Sequence, residues 1–557
     1  MIGARGAGVA TWAALLAGTT VLFGAGLGAR DLWNPNEPLY GQAVVEMAAS
    51  GERLLPTVNG ERFAEKPPLY FWLALAASRV TGRVDEGSLR VPSVLAGLAA
   101  VTLLYSLVER MAGRRRAWIT SALFATTFSV AWAARSIQMD LLLGATTLAA
   151  LHAALVVPRR LPGWLSPVLA GASAGLGVLA KGPVGILCPA LVLGADAALG
   201  GASRRCCRPQ WLAVATATLL AVAAPWYVAL ALGGESGALG EVLWRQNVTR
   251  FFTPWDHVQP VWYYLGSFWL ESAPWGLIAL LALGGREPDA AARALDRLAW
   301  VWLAVLVAFF SLSASKRGAY LLPAMPAVAI LASGVLDRVG RGVAGAGRKR
   351  SVWVVTATLA WLLALGGIGV AQRASGHASL AGPARAIALV LVAGAAVVTW
   401  TLASRERRPV GPTLALAATV AVTYVVVGAW ALPAANPLKS ARGFCTAMNE
   451  RVGSEAPLRS YGSWKWRASY VYYARRRIPR LESEAELRAY FAQPETVFLI
   501  VERGSLPDVR RVVGAAEPVL SAEIGANAAY VFTNRGATTR ADPRDEHTRP
   551  TATGAIR

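Results

Sequence analysis

Residues 67–82 read PPLYFWLALAASRVTG, and whether they cross a bilayer decides the topology of the chain. Crossing roughly 30 Å of hydrocarbon takes about 20 residues at 1.5 Å each. This stretch is shorter, opens with two prolines and carries Arg79. Apolar runs nearer the required length lie on either side, at about 9–27 before it and at 91–108, 117–134, 139–157, 164–180, 183–200, 211–232, 261–283, 298–314, 319–335, 352–371, 384–403 and 412–432 after it. Alternate connections after residue 108 are basic. One set holds 20 Lys and Arg, in the groups 110–116, 159–160, 204–208, 286–297, 338–350 and 405–408; the other holds 8. Cytoplasmic loops carry the excess of positive charge. If 67–82 crossed, a chain starting inside would place all 20 outside. The stretch is therefore predicted to lie in the outer interface or dip into it. About 13 transmembrane helices remain, with the N-terminus inside, residues 28–90 forming a large first external loop and the C-terminus outside.

Composition agrees with a polytopic α-helical membrane protein. Hydrophobic residues make up 55% of the 557 and charged residues only 16%, against about a quarter charged in average usage. The formal charge of +22 would suit a nucleic-acid binder, but its placement in short loops between apolar runs argues for no nucleic acid and for a bilayer. The first run, 9–27, lacks a small-residue cleavage site and reads as a retained helix. Cys188, Cys206, Cys207 and Cys445 form neither a disulfide framework nor a zinc-type spacing. Residues 1–436 thus form the transmembrane domain. From 437 to 535 polar and apolar residues mix, with a strand-like TVFLIVE (496–502) between helix-like 483–492 and 505–514. That predicts a small external α/β domain. Residues 536–557 are polar and aperiodic, and predict a disordered tail.

Four clusters fall on the predicted outer face. In NPNEPLYGQAVVEM (34–47), Tyr40, Ala43, Val44 and Met47 have helical spacing and suit an amphipathic helix lying along the membrane. Asn36 or Glu37 would cap it. Glu65-Lys66-Pro67-Pro68 opens the interfacial stretch, and Lys66 fits simple snorkelling as well as a binding role. ARSIQMD (134–140) sets Arg135 and Asp140 at a boundary, where Asp140 is either a helix cap or a functional carboxylate. Residues 244–275 hold Arg250, Asp256 and His257 among aromatics of the kind that belt any interface. SASKRGAYLLPAMP (313–326) holds Lys316, Arg317 and Tyr320. Cations beside apolar walls suit a lipid phosphate, and a carboxylate beside them suits proton removal from an acceptor hydroxyl.

The ordered set NEPLY (36–40), SGERLLPTVNGERFAEKPPLYFW (50–72), RVPSVLAG (90–97), QMDLLL (138–143), KGPVG (181–185), RFF with His257, and SKRGAYLLPAMP (315–326) resembles the aminoarabinose transferases that modify lipid A. It is also similar to the wider dolichyl-phosphate-mannose protein mannosyltransferase superfamily. The resemblance implies a C-type glycosyltransferase fold, a polyprenyl-phosphate-linked sugar donor, a lipid or glycan acceptor and an external catalytic loop. It implies that Lys66, Arg250 and Tyr320, with Lys316 nearby, hold the carrier phosphate. It links Glu65 and His257 to a divalent metal such as zinc, although two ligands are an incomplete zinc set. The family's first-loop motif reads Asp-Glu, a spacer, Arg, Tyr. Here Asn36 and Leu39 replace the aspartate and the arginine. An amide is no general base near neutral pH, so catalysis would fall to Asp140 or Glu37.

The function expected is sugar transfer at the outer face of a bacterial-type inner membrane. The alternatives are a catalytically degenerate carrier-binding relative and a lipid flippase. A flippase favours ionisable groups deep in the spans, whereas here they gather at one face.

Overall fold

The computed structural model describes residues 2–156, 162–285, 287–404, 409–462 and 467–535. Arg159, Arg160, Arg286, Arg405, Arg407, Arg408 and the tail 536–557 lie outside the described residues. The chain divides into two compact units, Met1–Pro437 and Leu438–Arg557.

The first unit is helical. Among the described residues, seven helices are long and apolar enough to cross a membrane: Glu86–Ala112, Pro209–Leu232, Ala290–Leu312, Gly318–Gly340, Ala346–Ala374, Ala378–Ala403 and Gly411–Ala434. An eighth is reached if Arg114–Ala125 and Phe128–Ala134, bent by 67°, count as one span. Leu212, Leu220 and Val228 on Pro209–Leu232 point outward and exposed, as side chains facing lipid do. The protein is therefore a polytopic α-helical membrane protein. The expected runs at 139–157, 164–180 and 183–200 appear as shorter apolar helices, Met139–Leu155, Leu165–Lys181 and Val184–Ala198. The run 261–283 breaks into Tyr263–Glu271 and Gly276–Leu280. Pro274 stands in the gap, where it has no N–H to continue a helix ladder.

Residues 67–82 contain the helix Leu69–Thr81, 13 residues long. At 1.5 Å per residue it measures about 20 Å, well short of the bilayer core. Tyr70, Phe71, Ala74 and Leu75 on it are buried against protein. The helix Asn36–Ser50 departs from expectation. Its face of Tyr40, Ala43, Val44 and Met47 is buried inside the protein and is not laid on lipid. Its N-cap is Pro35, and no side chain caps it. The capping role expected of Asn36 or Glu37 is thus not the one they fill.

The second unit, described to residue 535, holds a five-stranded sheet in the order Arg480–Leu481, Leu458–Tyr461, Phe498–Glu502, Asn527–Thr533, Leu520–Ile524. The first three strands run parallel and the last two join antiparallel. Side chains alternate across a strand. Ile500 and Val531 therefore pack with Phe444, Met448 and Tyr470 on one face. Leu499, Val501 and Phe532 pack with Leu487, Tyr490 and Val509 on the other.

Candidate active site

The site is built on the first loop, which folds by local rules. Asn59 and Gly60 both have positive φ, 59° and 80°. Such a pair makes the two-residue turn that joins a hairpin, here between Thr57–Val58 and Glu61–Arg62. The Glu46 carboxylate holds that hairpin. It accepts from Thr57 Oγ1 at 2.6 Å, Gly60 N at 3.0 Å and Gln42 Nε2 at 2.8 Å, and also from Asn59 N. Two indoles fix the segment before the hairpin: Trp72 Nε1 donates to the Arg53 carbonyl and Trp226 Nε1 to the Leu54 carbonyl, both at 2.8 Å. The chain then arrives at Glu65-Lys66 just before the turn into Leu69–Thr81.

There it meets a cleft of about 720 Å³ lined by Glu65, Lys66, Lys181, Gln246, Asn247, Arg250 and Tyr320, with an apolar wall of Phe251, Phe309 and Phe310. Three cations and one carboxylate share this lining, so the cleft favours an anion. Burial pulls the Lys66 ammonium down to about 8, with Arg250 and Lys181 adding to the pull and Glu65 and Asp140 opposing it. Arg250 is held by Asp256, at 2.8 and 2.9 Å to its two oxygens, and by Gln246 at 3.3 Å. Among the described residues its buried Nε has no partner. Asp140 forms an ion pair with Lys181, whose Nζ lies 4.4 Å from the centre of the Tyr320 ring. Asp140 is not a cap, since Gln138 occupies that position. Tyr40 rests on Phe63 and Phe71 at the edge of this group. Burial pushes its phenol up, and Glu65 and Asp140 push it the same way.

Several sequence-predicted residues lie elsewhere. Glu37 is buried in a clamp. Arg30 reaches its two oxygens at 2.7 and 2.9 Å, Arg90 reaches them at 3.0 Å each, and the Ile137 N–H donates at 3.0 Å. Burial alone would raise the Glu37 carboxyl, but Arg90 and Arg30 outweigh it and hold it at about 2. A carboxylate so fully engaged is a poor base. Arg135 is no neighbour of Asp140 by pairing; its guanidinium donates to the Leu22 and Ala25 carbonyls. Lys316 is 4% exposed and gives its Nζ to the carbonyls of Gln259, at 2.9 Å, and Ser313. Burial lowers its ammonium. It does not line the cleft. Asn36 is half-buried at the start of its helix and does not line the cleft.

Glu65 and His257 do not form a metal site here. Glu65 lines the cleft and His257 does not; His257 lies 3.8 Å from Asp256. Among the described residues no three His, Cys, Asp or Glu side chains gather as metal ligands. The residues present do not fit a zinc ion.

Lys181 was missed. Its signal was a lone cation ending an apolar run, in KGPVG. Gly182 has φ +81°, and a Cβ there would fall 3.0 Å from Asn247 Oδ1, so the turn that presents Lys181 requires glycine. Glu271 was missed as well. Its carboxylate occupies the space left by the absent side chain of Gly318 and is an electrostatic neighbour of Asp140.

Residues 65–228, which contain Lys66, Asp140 and Lys181, match the family model described as dolichyl-phosphate-mannose-protein mannosyltransferase. The undecaprenyl phosphate-alpha-4-amino-4-deoxy-L-arabinose arabinosyl transferase of Shewanella sediminis is 30% identical over 316 residues, which cover 56% of this chain and 57% of that protein. The transferase of the same name from Aeromonas salmonicida is 27% identical over 417 residues, covering 72% and 74%. The chain thus spans little more than half the length of the first relative. The crystal structure of ArnT from Cupriavidus metallidurans bound to undecaprenyl phosphate has the same fold, with a TM-score of 0.76 at 20% identity over 94% of this chain and 98% of that one. The chain is thus similar in sequence to the aminoarabinose transferases, matches the mannosyltransferase family model over residues 65–228, and shares its fold with ArnT.

Proposed function

We propose that the protein moves a sugar from a polyprenyl-phosphate carrier to an envelope acceptor, whether lipid A, a glycan or a protein, at the outer face of the inner membrane. The observation that carries this reading is the convergence of Lys66, Lys181 and Arg250 on one cleft, with Asp140 directly behind Lys181. Lys66 and Arg250 hold the carrier phosphate and offset the charge it gains as leaving group. The acceptor oxygen bonds to the anomeric carbon, the bond from that carbon to the phosphate oxygen breaks, and its electron pair leaves with the phosphate. The acceptor proton reaches Asp140 through Lys181, which passes a proton of its own to the carboxylate as it takes the acceptor's. Undecaprenyl phosphate carrying aminoarabinose is the first donor to test, because the curated relatives bear its name.

The departures at Asn36 and Leu39 favour a second reading, a carrier-binding relative without turnover. Purified protein incubated with radiolabelled donor and lipid A separates the two. The expected result is label in the acceptor with the wild type, and Asn36→Asp equally folded and still active. Saturable carrier binding with no transfer by either protein would replace the enzyme reading with the second.

Carrier affinity should depend on pH through Lys66. A bound phosphate favours the ammonium, so with a free-cleft value of about 8 affinity falls as pH rises above that value, by up to about tenfold per unit. Stability of the empty protein moves the other way. A depressed lysine binds fewer protons folded than unfolded between about 8 and the ordinary 10.5, so stability rises across that window. Lys66→Arg should flatten the affinity profile between pH 8 and 10 in a carrier-binding titration. Lys66→Ala or Arg250→Ala should weaken binding by roughly 10- to 100-fold, the worth of one charged hydrogen bond. Unchanged affinity in folded variants would remove both residues from the phosphate site.

The topology we propose has 13 spans, residues 69–81 not crossing and the second unit outside. The counterparts of all 13 apolar runs and the shortness of Leu69–Thr81 support it. An impermeant thiol reagent applied to cells with a permeabilised outer membrane should label single cysteines placed in 438–535 and spare those at 341–350. The reverse pattern would overturn it.

A further inference from the structure

A second polar cleft lies far from the first. Tyr320 and Arg338 stand near opposite ends of Gly318–Gly340, roughly 27 Å apart at 1.5 Å per residue. The cleft encloses about 1210 Å³ and is lined by Leu281, Leu283, Arg338, Val343, Arg348 and the glycine-rich start of Ala346–Ala374. A Cβ on Gly285 would fall 2.4 Å from Arg348 Nη1 and 3.2 Å from Arg338 Nη2, so the two guanidiniums converge on one point. Arg338 is 3% exposed and pairs with Asp296 at 2.8 Å and with Glu287 at 3.6 Å. Among the described residues its buried Nε has no partner. Arg348 donates to the carbonyls of Leu281, at 2.6 Å, and Leu283, at 3.2 Å. Among the described residues it has no carboxylate partner. The first N–H groups of the 29-residue helix Ala346–Ala374 open onto the same cleft and add positive potential.

We propose that this cleft is a binding site for the phosphodiester headgroup of an anionic phospholipid. Two converging guanidiniums and a helix N-terminus meet a phosphate as donors and as charge. The rim makes the ligand a lipid. Leu280, Leu283 and Val343 are exposed at 40%, 60% and 52%, where acyl chains cover them and free phosphate cannot. Basic clefts between membrane helices take acidic headgroups by this chemistry.

Native mass spectrometry of the full chain in detergent tests the site, with phosphatidylglycerol, chain-matched phosphatidylcholine and inorganic phosphate as probes. Phosphatidylglycerol is expected to bind in preference to phosphatidylcholine. Arg348→Gln should reduce its affinity about tenfold, one charged contact's worth. Arg348→Lys, which keeps a charge, should retain part of the preference. Lys66→Ala should leave it intact. Loss of the preference in Lys66→Ala but not in Arg348→Gln would place the lipid in the carrier cleft and overturn the proposal. Displacement of the lipid by millimolar inorganic phosphate would overturn the lipid assignment in favour of a free anion. Equal binding of both lipids by the wild type would overturn it outright.

Discussion

Asp140→Asn should lower turnover by about 10²- to 10⁴-fold, the usual worth of a positioned base, while carrier affinity changes little. Asp140 does not touch the cleft itself; it reaches it through Lys181. Both partners are only about a sixth exposed, so breaking the pair leaves the Lys181 charge largely buried and should lower the melting temperature as well; turnover is therefore counted per folded molecule. The Lys181 ammonium keeps the face of Tyr320. The measurement is transfer of labelled sugar under saturating donor, with carrier affinity recorded separately. Asp140→Glu should recover part of the rate. Wild-type turnover in Asp140→Asn would move the proton to Glu271, its electrostatic neighbour, and Glu271→Gln would then be the slow variant. Full activity in both would mean that the acceptor attacks already ionised.

Glu37→Gln should fail differently. One carboxylate answers two guanidiniums, Arg30 and Arg90, and Arg90 is fully buried. Removing one partner of a buried pair leaves its charge uncompensated and costs about 3–5 kcal/mol. The loss should appear as a lower melting temperature and a smaller folded fraction in detergent, with turnover per folded molecule unchanged. Acid should do the same to the wild type. The folded carboxyl is held at about 2 against an ordinary 4.5. Its stabilisation is therefore complete above 4.5 and is lost as pH falls toward 2. A well-folded Glu37→Gln with abolished turnover would restore Glu37 as a catalytic group.

The contrast between these two acids shows what the sequence could carry. Asp140 and Glu37 each follow a turn at the start of an apolar helix, and local pattern gives both the same two readings. What separates them is the company they keep, 41 residues away for Asp140 and 53 for Glu37, and no periodicity records that. Lys316 and Lys181 make the same point. Each is a cation at the end of an apolar run. The carbonyls of Gln259 and Ser313 capture one, and the turn at Gly182 frees the other for the cleft. Patterns of 20 apolar residues and the shortness of 67–82 were legible because bilayer thickness imposes them residue by residue. The amphipathic spacing of 36–50 was legible too. Its partner was not, because a face that suits lipid suits a protein core equally well.

The two indole hydrogen bonds from Trp72 and Trp226 have an engineering consequence. Their acceptors, the carbonyls of Arg53 and Leu54, are adjacent, yet the donors sit 154 positions apart in the chain. Residues 51–66 are therefore not a cassette. A segment grafted from a relative to change donor preference would arrive without its moorings unless residues 72 and 226 travel with it.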